Sequence, residues 1–397
     1  MKDSFRCSRA LAGVWIALAL VGCQVTPPKP PPPVAPAHAV FTSTSYAEVP
    51  GWKDDRVEQA WPAFLVGCRA LAANARTREA WQPTCAAAAS VDPNDAAAVR
   101  TFLETHVHPY RVTDTQGHAT GLVSGYYEPL LPGSRTPGGD FNVPLYATPD
   151  DLLVVDLVSL YPELEGKRVR GRLDGRKVVP YWSRADIEAG RLEGHAHPLA
   201  FVADPVQAFF LEIQGSGRIA FGDGTTLRLG YADQNGQPYR AIAGVLIERG
   251  EMTRDQASMQ AIAAWGRAHP SELPALLAEN RSYVFFRELP APLPGTLDAA
   301  IDGPLGSLGV PLLAQRAVAV DAREIPLGAP LFLSTSKPLS SEPLRHLVMA
   351  QDTGGAIRGP LRVDYFWGFG PDAASNAGRM RQDGQIWVLW PVGATPP

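Results

Sequence analysis

Glycine and proline constrain this chain more than any other feature, because 37 Gly and 38 Pro among 397 residues cut its apolar sequence into short runs. Proline inside a helix removes a backbone hydrogen bond and clashes with the preceding turn, and glycine weakens helix interiors. Short runs with frequent punctuation suit strands and turns, so the chain reads as mainly β with peripheral helices. Its length allows two domains of ordinary size. A hydrophobic content of 45% and a charged content of 19% belong to a folded chain rather than a disordered one. The net charge of −4 comes from 36 basic and 40 acidic residues with no long basic run, which argues against a nucleic-acid partner.

The first residues read as an address. Lys2, Arg6 and Arg9 precede the apolar run 11–22, which is too short to span a bilayer and suits the core of a signal peptide. The run ends Leu20, Val21, Gly22, Cys23, which resembles the lipobox of bacterial lipoproteins, with Cys23 the acylated residue. Gln24 rather than Asp follows, pointing to the outer membrane, with the body facing the periplasm. Residues 1–23 are therefore expected to be signal peptide and lipobox. Residues 24–45 are expected to be a proline-rich linker, since seven of the ten residues 27–36 are proline and favour an extended stalk. Cys68 and Cys85 are the pair left in the mature body. An oxidising periplasm makes a disulfide the expectation, with two buried free thiols as the alternative.

Apolar residues recur at helical spacing over 52–74 (Trp61, Phe64, Leu65, Cys68, Leu71), and Val99, Phe102 and Leu103 suggest a second helix, so the mature body is expected to open with helices. Residues 121–129 read as a turn and a strand. Residues 206–213 and 218–221 both look strand-like, and around Gly215 and Gly217 they predict a hairpin. Helical spacing returns with Ala241, Val245 and Leu246, and again with Met259, Ile262 and Trp265. Strands are expected at 318–320, 330–333, 347–350 and 386–389.

Most catalytic motifs fail on inspection. Gly215, Gly217 and Ala220 have the spacing of a dinucleotide loop, but a strand rather than a helix is expected after them. Ser307 misses the nucleophile-elbow pattern at its first glycine, and the His106/His108 and His195/His197 pairs lack zinc-protease spacing. The carboxylates near the C-terminus differ. Asp352 follows an apolar strand and precedes a glycine turn, and Asp364 lies among Val363, Tyr365, Phe366 and Trp367. Partial desolvation and a neighbouring carboxylate both raise a carboxyl pKa, so Asp364 is the candidate acid; solvated turn residues are the alternative for both.

Taken together, the motifs resemble the membrane-bound lytic murein transglycosylase A family. They run from Gly125, Tyr126, Tyr127, Glu128 and Pro129 through Ile213, Gln214, Gly215, Ser216 and Gly217 to Gly222, Asp223 and Gly224, then Gly230, Tyr231 and Ala232. Asn235, Gly236, Tyr239, Arg240 and the stretch 258–262 follow, and the aspartates Asp321, Asp352 and Asp364 complete the series. Glu128 stands where the family often has Thr. The resemblance implies a double-psi β-barrel catalytic domain, 46–125 with 286–397, interrupted by an inserted β-barrel domain, 126–285, that forms the other wall of a glycan groove. It implies cleavage of the β-1,4 bond between N-acetylmuramic acid and N-acetylglucosamine of peptidoglycan with formation of a 1,6-anhydro ring, and no metal or organic cofactor. On these residues Asp364 would act as acid and then base, and Asp352 would support it. Asp321 would be structural, while Tyr126, Tyr127, Gln214 and Ser216 would bind sugar or merely support the hairpin and core. Peptidoglycan strands and outer-membrane lipid are the expected partners, with other cell-envelope enzymes as candidates.

Two alternatives stay open: a non-catalytic, expansin-like wall-binding protein, and a glycan hydrolase. The address segment gives the first test. Cys23→Ala is expected to yield protein without acyl chains that no longer fractionates with outer membranes, read by mass spectrometry and membrane fractionation.

Overall fold

The computed structural model describes residues 38–397 apart from 165, 166 and 168. Cys23 and the proline stalk 27–36 therefore lie outside the described residues. Within them, no helix is long and apolar enough to cross a membrane.

The described chain begins with β1 (Ala39–Ser43), β2 (Val107–Asp114) and β3 (Gly121–Glu128). The next strands are β4 (Leu130–Ser134), β5 (Val143–Tyr146), β6 (Leu153–Val154), β7 (Arg170–Asp174), β8 (Lys177–Pro180) and β9 (Pro198–Val202), followed by β10 (Ser216–Phe221), β11 (Thr226–Gln234) and β12 (Val284–Glu288). The chain then forms β13 (Ala317–Val320), β14 (Pro330–Ser336), β15 (Pro343–Asp352), β16 (Val363–Phe369) and β17 (Arg381–Pro391). The protein is mainly β with several helices, as the glycine and proline spacing predicts. The four strands expected at 318–320, 330–333, 347–350 and 386–389 fall within β13, β14, β15 and β17.

The first and last groups share one eight-stranded sheet, ordered β1-β2-β17-β14-β15-β13-β16-β3. Because β17 pairs with β3 as well as with β14, six of these strands close into a circuit. β13 runs parallel to β15, and β16 runs parallel to β3. Alternate residues of the circuit, among them Val318, Val320, Leu331, Leu333, Val348, Ala350, Val363 and Tyr365, are buried in one apolar cluster. The middle strands form a six-stranded sheet, β12-β11-β10-β4-β9-β5, whose two ends meet at the Ala147–Phe286 bridge. The smaller β6-β7-β8 sheet lies within the 150–180 stretch.

Helices cover the first core. In Trp61–Ala73 the buried Trp61, Phe64, Cys68 and Leu71 recur every three or four residues and face that cluster. Ala96–His106 starts where the Asp95 carboxylate accepts from the amides of Ala97 and Ala98, both at 3.0 Å. Trp61 stacks on Phe64 at 4.9 Å, and Trp81 meets Trp390 of β17 edge-on at 5.4 Å. Cys68 and Cys85 join Trp61–Ala73 to Arg78–Ala88 as a disulfide.

Three expectations need correction. Residues 206–213 are not a strand: Pro205–Gln214 is a helix, capped by Asp204 at Val206 N and Gln207 N and ended by Gly215 at φ 75°. Its strand-like apolar residues are buried on more than one side of the helix, which masks the helical period, while Asp204, Pro205 and Gly215 carry the helix start and stop signals. The linker does not reach residue 45, since Ala39–Ser43 pairs with β2 and packs Ala39 and Phe41 on the main cluster; the described body thus opens with a strand before its helices. Residues 126–128 belong to β3 of the eight-stranded sheet, so the change of sheet falls after Glu128, and at the far end Val284–Glu288 still pairs with β11.

Asp321 lies just after β13, buried. It accepts from Arg323 Nε at 2.9 Å, Arg323 Nη2 at 2.7 Å and the Gly359 amide at 2.9 Å. It thereby anchors the loop between Asp352 and Asp364. The Arg323 hydrogen bonds, aided by the Gly359 amide, hold its carboxyl down to about 2.

A depressed folded-state pKa adds stability above the unfolded value that is lost as pH falls through the folded value. Asp321→Asn is therefore expected to cost on the order of 1 kcal/mol above about pH 4, allowing for solvent screening at the exposed Arg323, with the difference from the parent vanishing towards pH 2 in urea unfolding. Reducing the Cys68–Cys85 bridge, which closes a separation of 17 residues, is expected to cost about 3 kcal/mol by the same measurement.

Candidate active site

Three strands bring the two candidate aspartates together. β13 lies between β15 and β16, and its Ala319 pairs with Asp352 on one side and with Asp364 on the other. A register shift between Val318 and Ala319 makes Asp352, rather than Gln351, the partner. Directly paired residues project to the same face, so both aspartate side chains leave the sheet on the side of the Ala319 methyl group. Their backbones are two strand spacings apart, roughly 10 Å. Both aspartates are half-buried.

β3 completes the face. Ser124 pairs with Asp364 across the parallel β16–β3 ladder, and Tyr126, two residues on, shares its side. The Ser124 hydroxyl donates to Asp364 Oδ1, and Arg362 Nη2 donates to Ser124 Oγ at 2.7 Å. Tyr126 donates to Asp352 Oδ2 at 3.0 Å. Asp352 Oδ1 accepts from Ser307 N, Ser307 Oγ and Thr353 N, each at 2.9 Å. The Ser307 turn can come this close because Gly306 lies against the Gln351 carbonyl, where an added Cβ would sit 2.4 Å from the oxygen.

Burial pushes the pKa of both carboxyl groups up. At Asp364 the Asp352 charge pushes the same way, while Ser124 and Arg362 oppose it. At Asp352 the hydrogen bonds from Ser307, Thr353 and Tyr126 offset part of the burial effect. The two sites are unequal: among the described residues Asp352 receives four donors and Asp364 one. Two neighbouring carboxylates resist ionising together, and of the two Asp364 has fewer donors to stabilise its anion.

The remaining expected residues are placed differently from one another. Tyr126 reaches the pair, with its ring 5.1 Å from Phe366. Tyr127 donates to Met259 Sδ at 3.4 Å and packs on the main cluster, away from the aspartates. Gln214, the last helical residue of Pro205–Gln214, accepts from the Tyr127 amide at 3.2 Å. Ser216 begins β10 opposite Gly230. Asp321 lies apart, bound to Arg323 and Gly359. The sequence reading missed Ser124, Arg362 and Ser307. The first two are two positions from Tyr126 and Asp364 respectively, so the two-residue period of a strand carried that signal. Ser307 meets Asp352 through a contact across 45 residues, which no local pattern signals.

Residues 122–287 match the "MltA specific insert domain" and residues 316–390 the "3D domain". The Escherichia coli K12 protein "Membrane-bound lytic murein transglycosylase A" is 35% identical over 298 residues, covering 73% of this chain and 71% of its own. The crystal structure of MltA from Neisseria gonorrhoeae superposes with a TM-score of 0.77 at 35% identity, covering 91% of this chain and 94% of its own. A structure of E. coli MltA with bound chitohexaose gives 0.61 at 26% identity, covering 92% and 94%. The 3D match spans β13 to β17 and so contains Ala319, Asp352 and Asp364 between strands already seen to hold the pair. On sequence, domain content and fold together, the chain belongs to the membrane-bound lytic murein transglycosylase A family.

Proposed function

We propose that this chain is a peptidoglycan lytic transglycosylase in which Asp364 is the acid and then the base of a non-hydrolytic cleavage. The observation that carries the assignment is the unequal pair across Ala319: Asp352 holds four donors, Asp364 one, and burial raises the pKa of both. A carboxyl group kept protonated towards neutral pH suits proton donation to a leaving oxygen.

In the proposed sequence the Asp364 proton passes to the glycosidic oxygen as the bond from N-acetylmuramic acid C1 to N-acetylglucosamine breaks. The 6-hydroxyl oxygen of the same muramic acid bonds to C1, and its proton returns to the Asp364 carboxylate. Ordinary glycosidases need a second carboxyl group as nucleophile or base. Here the nucleophile belongs to the sugar, and a well-oriented intramolecular hydroxyl has a large effective concentration. Asp352 then serves as a fixed negative charge beside the developing positive charge at C1.

The closed six-strand circuit with its parallel β13/β15 and β16/β3 pairs supports reading the first unit as a double-psi barrel, and the Ala147–Phe286 bridge supports an inserted second barrel. The glycan would lie between them, with Gln214 and Ser216 near the junction available to sugar hydroxyls and Tyr126 beside the acid pair. The chitohexaose held by the E. coli relative supports a glycan in this role. The relatives' description as membrane-bound supports envelope association, and lipid attachment at Cys23 to the outer membrane would supply it.

Peptidoglycan sacculi digested by the full chain are expected to release products ending in a 1,6-anhydro ring, lighter by one water than hydrolytic products; reducing ends would identify a hydrolase, and binding without products a wall-binding protein. Asp364→Asn should fold and bind but lose at least on the order of 10²-fold in rate, because an amide has no titratable proton. Asp352→Asn should lose less. Parent-like release from Asp364→Asn together with an inactive Asp352→Asn would reverse the two roles.

A further inference from the structure

The hydrogen bonds beside Asp364 run in one direction. Arg362 Nη2 donates to Ser124 Oγ at 2.7 Å, and a guanidinium accepts nothing, so the Ser124 oxygen is the acceptor in that contact. Its own single proton is then directed to Asp364 Oδ1. A carboxyl oxygen that already receives a donor along that line cannot place its own proton there without setting two protons against each other. Asp364 Oδ2 has no hydrogen-bond partner among the described residues.

We infer that Ser124 is a positioning residue for the reaction: oriented by Arg362, its hydroxyl keeps Asp364 Oδ1 a permanent acceptor and confines the transferable proton to Oδ2. The inference rests on the reading of Asp364 as the acid and base. It assigns each oxygen of one carboxyl group a separate task, Oδ1 to anchor and Oδ2 to exchange, so the proton leaves and returns at the same atom. Strand geometry enforces the arrangement. The parallel β3–β16 ladder sets Ser124 opposite Asp364, and Arg362, just before β16, reaches the same hydroxyl. Arg362 is itself held by the carbonyls of Val363 at 2.5 Å and Leu122 at 3.4 Å.

Other ionisable groups around this face are few. β15 contributes Asp352, β3 contributes Tyr126, whose hydroxyl is committed to Asp352, and β17 contributes Arg381, across the ladder from Ser124. β13 contributes the uncharged Ala319, and the 306–309 turn contributes Ser307, bound to Asp352. The Pro371–Arg379 helix packs behind β3 at Gly125, on the opposite face.

Losing the Ser124 hydroxyl has two separable effects. Oδ1 becomes free to hold the proton where it cannot reach the leaving oxygen, and the carboxylate loses a donor and binds its proton more tightly. The test uses the full chain in detergent with soluble peptidoglycan oligomers, following kcat, KM and the pH profile of kcat/KM for Ser124→Ala, Ser124→Thr, Arg362→Met and Asp364→Asn. Activity that requires a protonated acid falls as pH rises through its pKa. Ser124→Ala is expected to lower kcat about tenfold with little change in KM, and to move this alkaline limb up by about one pH unit, the effect of losing one hydrogen bond to a charged group. Ser124→Thr, which keeps the hydroxyl and suits a strand, should restore both. If Ser124→Ala does not fold, Arg362→Met should move the limb in the same direction. A lower kcat with the limb at the parent position in Ser124→Ala, or in Arg362→Met when that variant stands in for it, would reduce Ser124 to a structural role and overturn the inference. Parent-like activity in Asp364→Asn would instead overturn the acid assignment, and this inference with it.

Discussion

β17 is the strand on which the rest of the fold depends. It pairs with β14 on one edge and with both β2 and β3 on the other, so the last strand of the chain closes a circuit with strands made before residue 130. A closed circuit has no free edges between its members, and its interior can be filled only by side chains from both ends of the sequence. The long excursion between β3 and β13 must therefore leave from one point on the circuit and return to it. That closure also fixes the register of β13, β15 and β16, on which the position of the two aspartates rests.

Charged side chains hold the excursion to the circuit. Glu128, fully buried at the end of β3, accepts from Arg218 of β10 at 2.9 Å, and Arg218 also binds Asp302 at 2.7 Å and lies 4.1 Å from the Phe369 ring centre. One guanidinium thus links both sheets and the segment leading into β13. Burial raises the Glu128 pKa while Arg218 opposes the shift, so removing Arg218 would leave an acid buried without its partner. This pairing gives the buried Glu128 carboxyl group its partner. A second buried pair, Arg184 with Glu212 at 2.8 Å, braces the interior of the excursion, and a third, Arg316 with Asp55 at 2.9 Å, ties β13 to the segment before the first helix.

The proposed chemistry follows from differences in solvation within one small face. Two aspartates of the same kind, on strands either side of Ala319, diverge because one is surrounded by donors from Ser307, Thr353 and Tyr126, and the other has a serine hydroxyl and a second oxygen with no hydrogen-bond partner among the described residues. A fixed charge beside a transferable proton is what an intramolecular displacement requires, since the sugar supplies its own nucleophile.

The sequence by itself determined the β-rich class, the strands of the C-terminal half, the helices around Trp61 and Phe102, and the candidacy of Asp352 and Asp364. These are local properties: two-residue and three-to-four-residue apolar periods, turn residues, and a carboxylate among aromatic neighbours. It misread 206–213, where an apolar run buried on several sides hid the helical period although Asp204, Pro205 and Gly215 marked its ends. Only the tertiary structure decided that Ala319 separates the two aspartates, that Ser124 and Arg362 belong with Asp364, and that Ser307 belongs with Asp352. Those partners are separated by 240 residues for Ser124 and 45 for Ser307, and their meeting depends on ladder register and circuit closure, which no local pattern of residues encodes.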